Sequence, residues 1–136
     1  MTYKNIILLL LFALSFVGCS NDIEHLISGQ WQLKSIEENG KTTPVDTVFF
    51  SFQRGKIFAL TVLINPDESR QSYGYLDKVS ETGLAIQISP HMIPEDVICY
   101  GWNPENNYLQ LFSVVKQNSK TLILSANEKT YSFKKF

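Results

Sequence analysis

Apolar residues follow two different patterns along this chain. Ile6 to Val17 is a continuous apolar run broken only by Ser15. From Gly29 to the last residue, apolar and polar positions instead alternate in short stretches. Val48, Phe50 and Phe52 share one parity, as do Leu84, Ile86 and Ile88, and Tyr73 with Tyr75. Tyr108, Phe112 and Val114 share another, with Gln110 interrupting it. Period two over short runs predicts strands with one buried face. The expected strands are Gln30–Glu37, Asp46–Gln53, Lys56–Ile64, Gln71–Lys78, Gly83–Ser89, Val97–Tyr100, Asn107–Lys116, Thr121–Ser125 and Thr130–Lys135. Turn-forming stretches separate them, among them Glu38-Asn39-Gly40, Arg54-Gly55, Asn65-Pro66-Asp67 and Gln117-Asn118-Ser119. Ile57 to Ile64 is apolar on both faces, as in a strand covered on both sides. No helical period extends beyond two turns. The pattern predicts an all-β domain, an antiparallel up-and-down meander of eight or nine strands closed as a barrel or stacked as a sandwich. One connection is long, Pro90 to about Asp96, and either caps one end or crosses between sheet halves.

The initial apolar run holds about a dozen residues, where a spanning helix needs roughly 20, so it reads as the core of an export signal. It ends in Phe16-Val17-Gly18-Cys19, followed by the polar Ser20-Asn21-Asp22. This stretch resembles a bacterial lipobox. The resemblance implies cleavage of residues 1–18, diacylglycerol on the Cys19 sulfur, acylation of the new amine by palmitate-type chains, and export to the cell envelope, in the outer membrane of a Gram-negative bacterium. A thiol is the soft nucleophile that thioether formation requires, and two or more acyl chains anchor stably. Ser20, Asp22 and Glu24 resemble in part the signal that routes some lipoproteins to the outer surface. Residues 19–28 then form the lipidated cysteine and a tether, and 29–136 one domain.

Without residues 1–18 the chain has 118 residues, enough for one core. It carries 11 basic and 13 acidic side chains with no basic stripe, so nothing in the charge pattern points to nucleic acid. With Cys19 lipidated, Cys99 has no partner, which excludes a disulfide framework. It lies in the apolar Val97-Ile98-Cys99-Tyr100 and is expected to be a buried structural thiol, with a nucleophile as the alternative.

The first strand opens with Gly29-Gln30-Trp31. Gly-x-Trp at the start of a β-meander resembles the lipocalin signature. With "FFSFQRGKIFAL", "YGYLDKV" and "TLILSANEKTYSFKKF", the domain is similar to lipocalin-like domains of bacterial lipoproteins, many of unknown function. The resemblance implies a barrel whose closed end is plugged by Trp31, with a basic side chain from the chain's end, Lys134 or Lys135, over the indole.

Little in the sequence suggests catalysis or a cofactor. His91, Glu95, Asp96 and Cys99 lack the paired spacing of a metal site, and His25 lies in the tether. No glycine elbow surrounds a serine and no phosphate loop is present. The expectation is a non-enzyme without cofactor or metal. Trp31, Phe50, Phe52, Tyr73, Tyr75, Tyr108 and Phe112 are expected to point inward, either as core filling or as a pocket for a small apolar ligand. Trp102, in "CYGWNPENNY", is expected in a loop, rimming a pocket, anchoring a protein partner or packing on its own barrel. Asp46-Thr47-Val48 resembles a short O-glycosylation sequon, which would modify Thr47. Two functions compete: a ligand-binding barrel, which requires a cavity, and an interaction module working as accessory subunit or inhibitor, which requires an exposed aromatic patch near Trp102.

Overall fold

The computed structural model describes residues 27–53 and 56–136. The leader, Cys19, His25, all of the tether up to residue 26 and the Arg54-Gly55 turn lie outside the described residues. Nine strands form one antiparallel sheet in the order β2-β1-β3-β4-β5-β6-β7-β8-β9, and pairing of β1 with β9 closes it. The strands are β1 (Gly29–Glu38), β2 (Lys41–Pro44), β3 (Val48–Gln53), β4 (Ile57–Asn65), β5 (Glu68–Val79), β6 (Gly83–Ile88), β7 (Leu109–Gln117), β8 (Thr121–Ala126) and β9 (Lys129–Lys135). β1 pairs with β9 along most of its length. On its other side, Gly29–Gln32 pairs with β3 and Ser35–Glu38 with β2. The result is a closed eight-stranded barrel, with β2 as an extra strand on one rim.

The barrel forms because alternation holds in nearly every strand. Trp31 and Leu33, Phe50 and Phe52, Phe58 and Leu60, Leu84, Ile86 and Ile88, Leu122 and Leu124, and Tyr131 and Phe133 are all buried inside. Two tight hairpins use left-handed residues, Asn39-Gly40 between β1 and β2 and Asn127-Glu128 between β8 and β9. Such pairs match the strand twist.

Two expectations on strands are corrected. Val97–Tyr100 is not a strand. Pro94–Val97 makes one helical turn and Ile98–Tyr100 a 3-10 turn. A four-residue apolar run carries no period of its own, and Pro94 at the first helical position favours a helical start. β2 was not expected, because "KTTP" is exposed at all four positions and has no apolar face to betray it. Its pairing follows from the Asn39-Gly40 hairpin alone.

In a meander, successive turns fall at opposite ends of the barrel. The β3–β4, β5–β6 and β7–β8 turns and both chain termini of the barrel lie at one end. The β1–β2, β4–β5 and β8–β9 turns lie at the other, together with the long connection 89–108. We call these the closed end and the mouth.

Candidate functional site

At the closed end, Trp31 is fully buried, and its Nε1 donates to the Ile27 carbonyl at 2.7 Å. Lys135 Nζ stands 4.6 Å from the centre of its ring, a cation–π contact, and also donates to the Ser28 carbonyl. Of the two lysines expected there, Lys135 is the partner; Lys134 is exposed on the outer face. Gly29 explains the first letter of the motif. Its φ of +108° suits glycine, and an added Cβ would collide with Lys135 Nζ at 2.4 Å. The strand entry, the indole and the lysine therefore form one lock built from the two ends of the domain.

The mouth is closed differently. The 89–108 connection folds inward and inserts Val97, Tyr100 and Trp102 into the barrel, all buried. Trp102 is thus neither rim nor exposed anchor. Its indole packs on Phe58 and Phe112 at 5.6 Å between ring centres, and its Nε1 donates to the Ile86 carbonyl at 2.9 Å. Phe50 sits at the centre of the interior, against Phe58, Tyr100, Trp102, Phe112 and Phe133. Offset and edge-on rings at these separations attract beyond simple burial.

Polar groups hold this inserted segment. Gln110, which interrupts the apolar pattern of β7, points inward, and its Nε2 donates to the Tyr100 carbonyl at 3.1 Å. Gly101 makes that approach possible: its φ is +97°, and an added Cβ would lie 2.0 Å from Gln110 Nε2. The Ser72 hydroxyl, on the inner face of β5, accepts from the Ile93 amide at 3.0 Å. Arg70, at the mouth end of the same strand, makes a two-point contact with Asp96, Nε to Oδ2 at 2.9 Å and Nη2 to Oδ1 at 2.5 Å. It also reaches Glu95 Oε1 at 3.3 Å. The Asp96 hydrogen bond, together with the charges of Asp96 and Glu95, raises the Arg70 pKa. Asn103 and Asn106 cap the turn Pro104–Asn106 reciprocally. Together these bonds make a strap across the mouth, tied by hydrogen bonds and ion pairs.

Several expected pocket residues stand elsewhere. Phe50, Phe52 and Phe112 point inward, and Tyr108 is half-buried at the start of the strand that Phe112 occupies. Tyr73 and Tyr75 do not point inward. They are 51% and 50% exposed on the outer face. Their parity is set by β4, where Ala59 and Ile57 oppose them while Phe58, inside, opposes Gly74. The inner face of β5 is therefore Ser72, Gly74 and Leu76, and its small residues leave room for the inserted rings. Phe58, Tyr100, Tyr131 and Phe133 were missed as interior rings; the alternation of "TYSF" could have found the last two. Thr47 is exposed in the β2–β3 turn. His91 is exposed, and among the described residues no His, Cys, Asp and Glu cluster could hold a metal.

Burial pushes the Tyr131 hydroxyl up to about 12, with the neighbouring Cys99 and Glu38 charges adding to it. Burial likewise pushes up the Tyr100 hydroxyl. Cys99, expected as a buried thiol, is instead exposed, because the helical turns that replace the expected strand leave it on the outer side of the inserted segment; partial desolvation raises its thiol pKa. A cleft of about 220 Å³ opens between the β5–β6 turn and β7, lined by Leu84, Ala85, Leu111 and Phe112. No helix among the described residues is long and apolar enough to cross a membrane.

A closed eight-stranded antiparallel barrel, entered through a tryptophan-locked strand, defines the lipocalin-like class. The chain belongs to the lipocalin-like domain family, whose model matches residues 12–136. Two solved structures share the fold. One is a lipocalin-like protein from Bacteroides uniformis ATCC 8492, 23% identical, with a TM-score of 0.70 over 81% of this chain and 98% of that one. The other is an uncharacterized protein from Bacteroides eggerthii DSM 20697, 22% identical, with a TM-score of 0.67 over 81% and 99%. Among curated proteins, no sequence matches the chain.

Proposed function

We propose that this protein is a non-catalytic, lipid-anchored protein of the cell envelope, whose barrel binds a small apolar or amphipathic molecule after the mouth strap swings aside. The observation that carries this reading is how the mouth is closed. Tyr100 and Trp102 fill space inside an aromatic-lined barrel, yet their segment is held by polar contacts that water can replace, with Arg70 half-exposed at the rim. Displacing the strap would vacate the room of two large rings beside Phe50, Phe58 and Phe112. A site of this kind is apolar with few polar groups, and Gln110 and Ser72 would supply them. The lipid anchor rests on the Phe16–Cys19 pattern.

Native mass spectrometry of the full chain, extracted gently from its own host, tests the reading together with titration of an apolar fluorescent probe. The expected result is a co-purifying small molecule, and probe binding that strengthens in Trp102→Ala. A chain that carries nothing and binds no probe, with Trp102 or without it, would sink the carrier.

A second reading has its own support. Ile57, Tyr73, Tyr75 and Leu111 are 45% to 65% exposed on the outer faces of β4, β5 and β7. The burial of Trp102 removes it as a partner anchor, so an accessory or inhibitory role would use this outer face. Site-specific crosslinking from position 75 in the host would capture a partner there.

A further inference from the structure

Charge that looks evenly spread in the sequence is sorted by the fold. Because alternate turns fall at opposite ends, Lys56, Lys116, Lys120, Lys134 and Lys135 collect at the closed end, Lys135 with its ammonium held in the Trp31 lock, and Asp77 and Glu81 are the acidic residues there among those described. The mouth collects the opposite sign. Glu37 and Glu38 flank the β1–β2 turn, Asp67 and Glu68 the β4–β5 turn, Glu95, Asp96 and Glu105 lie in the strap, and Glu128 in the β8–β9 turn. The basic residues at the mouth are Lys41, beside the β1–β2 turn, and Arg70 and Lys129, which are engaged with Asp96, Glu95 and Glu38, so acidic side chains still outnumber basic ones there among the described residues. The ends are separated by the length of six- to nine-residue strands, about 20–30 Å, well beyond the ~8 Å over which salt screens charge at physiological strength. A surface therefore meets one end at a time.

We propose that the closed end rests on an anionic phospholipid surface, with the exposed Lys116, Lys120 and Lys134 on headgroup phosphates, and that the mouth points away into solvent. Three further observations favour a bilayer as the occupant. The chain enters the barrel at this end, because Ile27 is fixed there by Trp31. Cys19 lies eight residues upstream, within about 28 Å of extended chain. Phe136 and Ile57, 72% and 45% exposed, add apolar side chains to the same end, as interfacial binding surfaces do. The acidic mouth would be repelled by the same surface, so charge sets the orientation as well as the attraction. A carrier held this way keeps its strap clear of the lipid and free to open. The inference builds on the proposed anchor but uses the barrel's own residues.

The test uses the full chain, expressed in a Gram-negative host, purified in detergent and transferred to vesicles of phosphatidylcholine alone or mixed with phosphatidylglycerol. Amide hydrogen exchange is read at both ends, and vesicle retention is measured separately. Expected are slower exchange in the β5–β6 and β7–β8 turns and at residues 134–136 on phosphatidylglycerol, and unchanged exchange in the β4–β5 and β8–β9 turns. Lys116→Glu with Lys120→Glu, both exposed turn-flanking positions, should weaken the phosphatidylglycerol-dependent component by about tenfold. Retention on both vesicle types without lipid-dependent slowing would leave the anchor standing and overturn the surface. Retention on phosphatidylglycerol only, lost in the double variant, would uphold the surface and sink the anchor. Slowing at the mouth, or no retention on either vesicle, would overturn the surface outright.

Discussion

The two ends of this barrel are each stopped by a tryptophan whose indole N–H finds a backbone carbonyl, and they are built on opposite principles. At the closed end Trp31 belongs to a strand. Its carbonyl partner Ile27, its cation Lys135 and the glycine that admits the cation all come from the two ends of the domain. At the mouth Trp102 belongs to a connection between strands, and the segment is tied by Gln110, Ser72 and the Arg70–Asp96 pair. One tryptophan cannot leave without breaking a strand ladder. The other is carried by a connection, so its departure would break no ladder and would cost its ring contacts with Phe50, Phe58 and Phe112 and a few polar bonds. Burial is the same at both ends, so the difference lies in what each indole is attached to.

Truncating the two tryptophans is the strongest way to break this comparison. Trp31→Ala removes a fully buried side chain from a position that cannot relax, and should cost about 3–5 kcal/mol in denaturant unfolding. A small domain with a typical margin of about 5–15 kcal/mol would barely survive it. Trp102→Ala removes an equally buried ring. If the strap is separable, it detaches rather than leaving a strained cavity, and the cost should be visibly smaller, about 1–3 kcal/mol. The same variant should then show fast amide exchange from residue 94 to 108 over a protected barrel. Equal losses for the two variants would mean that the mouth is as permanent as the closed end.

High pH separates the ends without mutation. Tyr131 titrates ordinarily near 10 and is held up to about 12 in the fold, and Tyr100 is raised as well. A group that keeps its proton more tightly when folded contributes stability that is fully present below its ordinary value. That contribution is lost as pH rises through the raised value. Stability should therefore fall between pH 10 and about 12. Tyr100 is one of the inserted rings, packed on Phe50, and Tyr131 of β9 lies 6.1 Å from it and against Phe112. Near-ultraviolet circular dichroism followed over that range should show the strap loosening before far-ultraviolet signal reports loss of strands. Simultaneous loss of both would remove the distinction.

What the sequence made legible follows the same division. The closed end could be read because its parts are periodic or terminal: the alternation of each strand, Gly29-x-Trp31 at the first, and a lysine at the last. The mouth could not. "VICY" is apolar without a period, and only tertiary contacts decide that it enters the barrel as helical turns. The signal that was present was negative. Gln110 breaks the apolar face of β7, and a buried amide there asks for a backbone partner, which Tyr100 supplies. Parity also failed at β5. Tyr73 and Tyr75 alternate with small residues, and nothing local says which set faces in. The register with β4 decides, and register is a property of two strands. The charge separation was invisible for a related reason, since it needs the knowledge that alternate turns lie at opposite ends.

The smallest effect expected is at the outer face of β5, and it sharpens the comparison by serving as its baseline. Tyr75→Ser removes an aromatic ring that is half in water, opposite Ile57 and Gln87 on the outside of the sheet. Such a change away from caps, ion pairs and the core is usually worth less than about 0.5 kcal/mol. Unfolding midpoints should therefore match the wild type. Exchange at 94–108 should match it too, because the ring lies on the outer face of β5 while Ser72 and Arg70 tie the strap from its inner face and mouth end. A loss comparable to that of Trp102→Ala would show that the outer ring supports the barrel wall against the inserted segment. The mouth would then be held by the whole sheet rather than by its polar ties. An unchanged fold together with a lost crosslink or partner in the host would instead give this face a role independent of both ends.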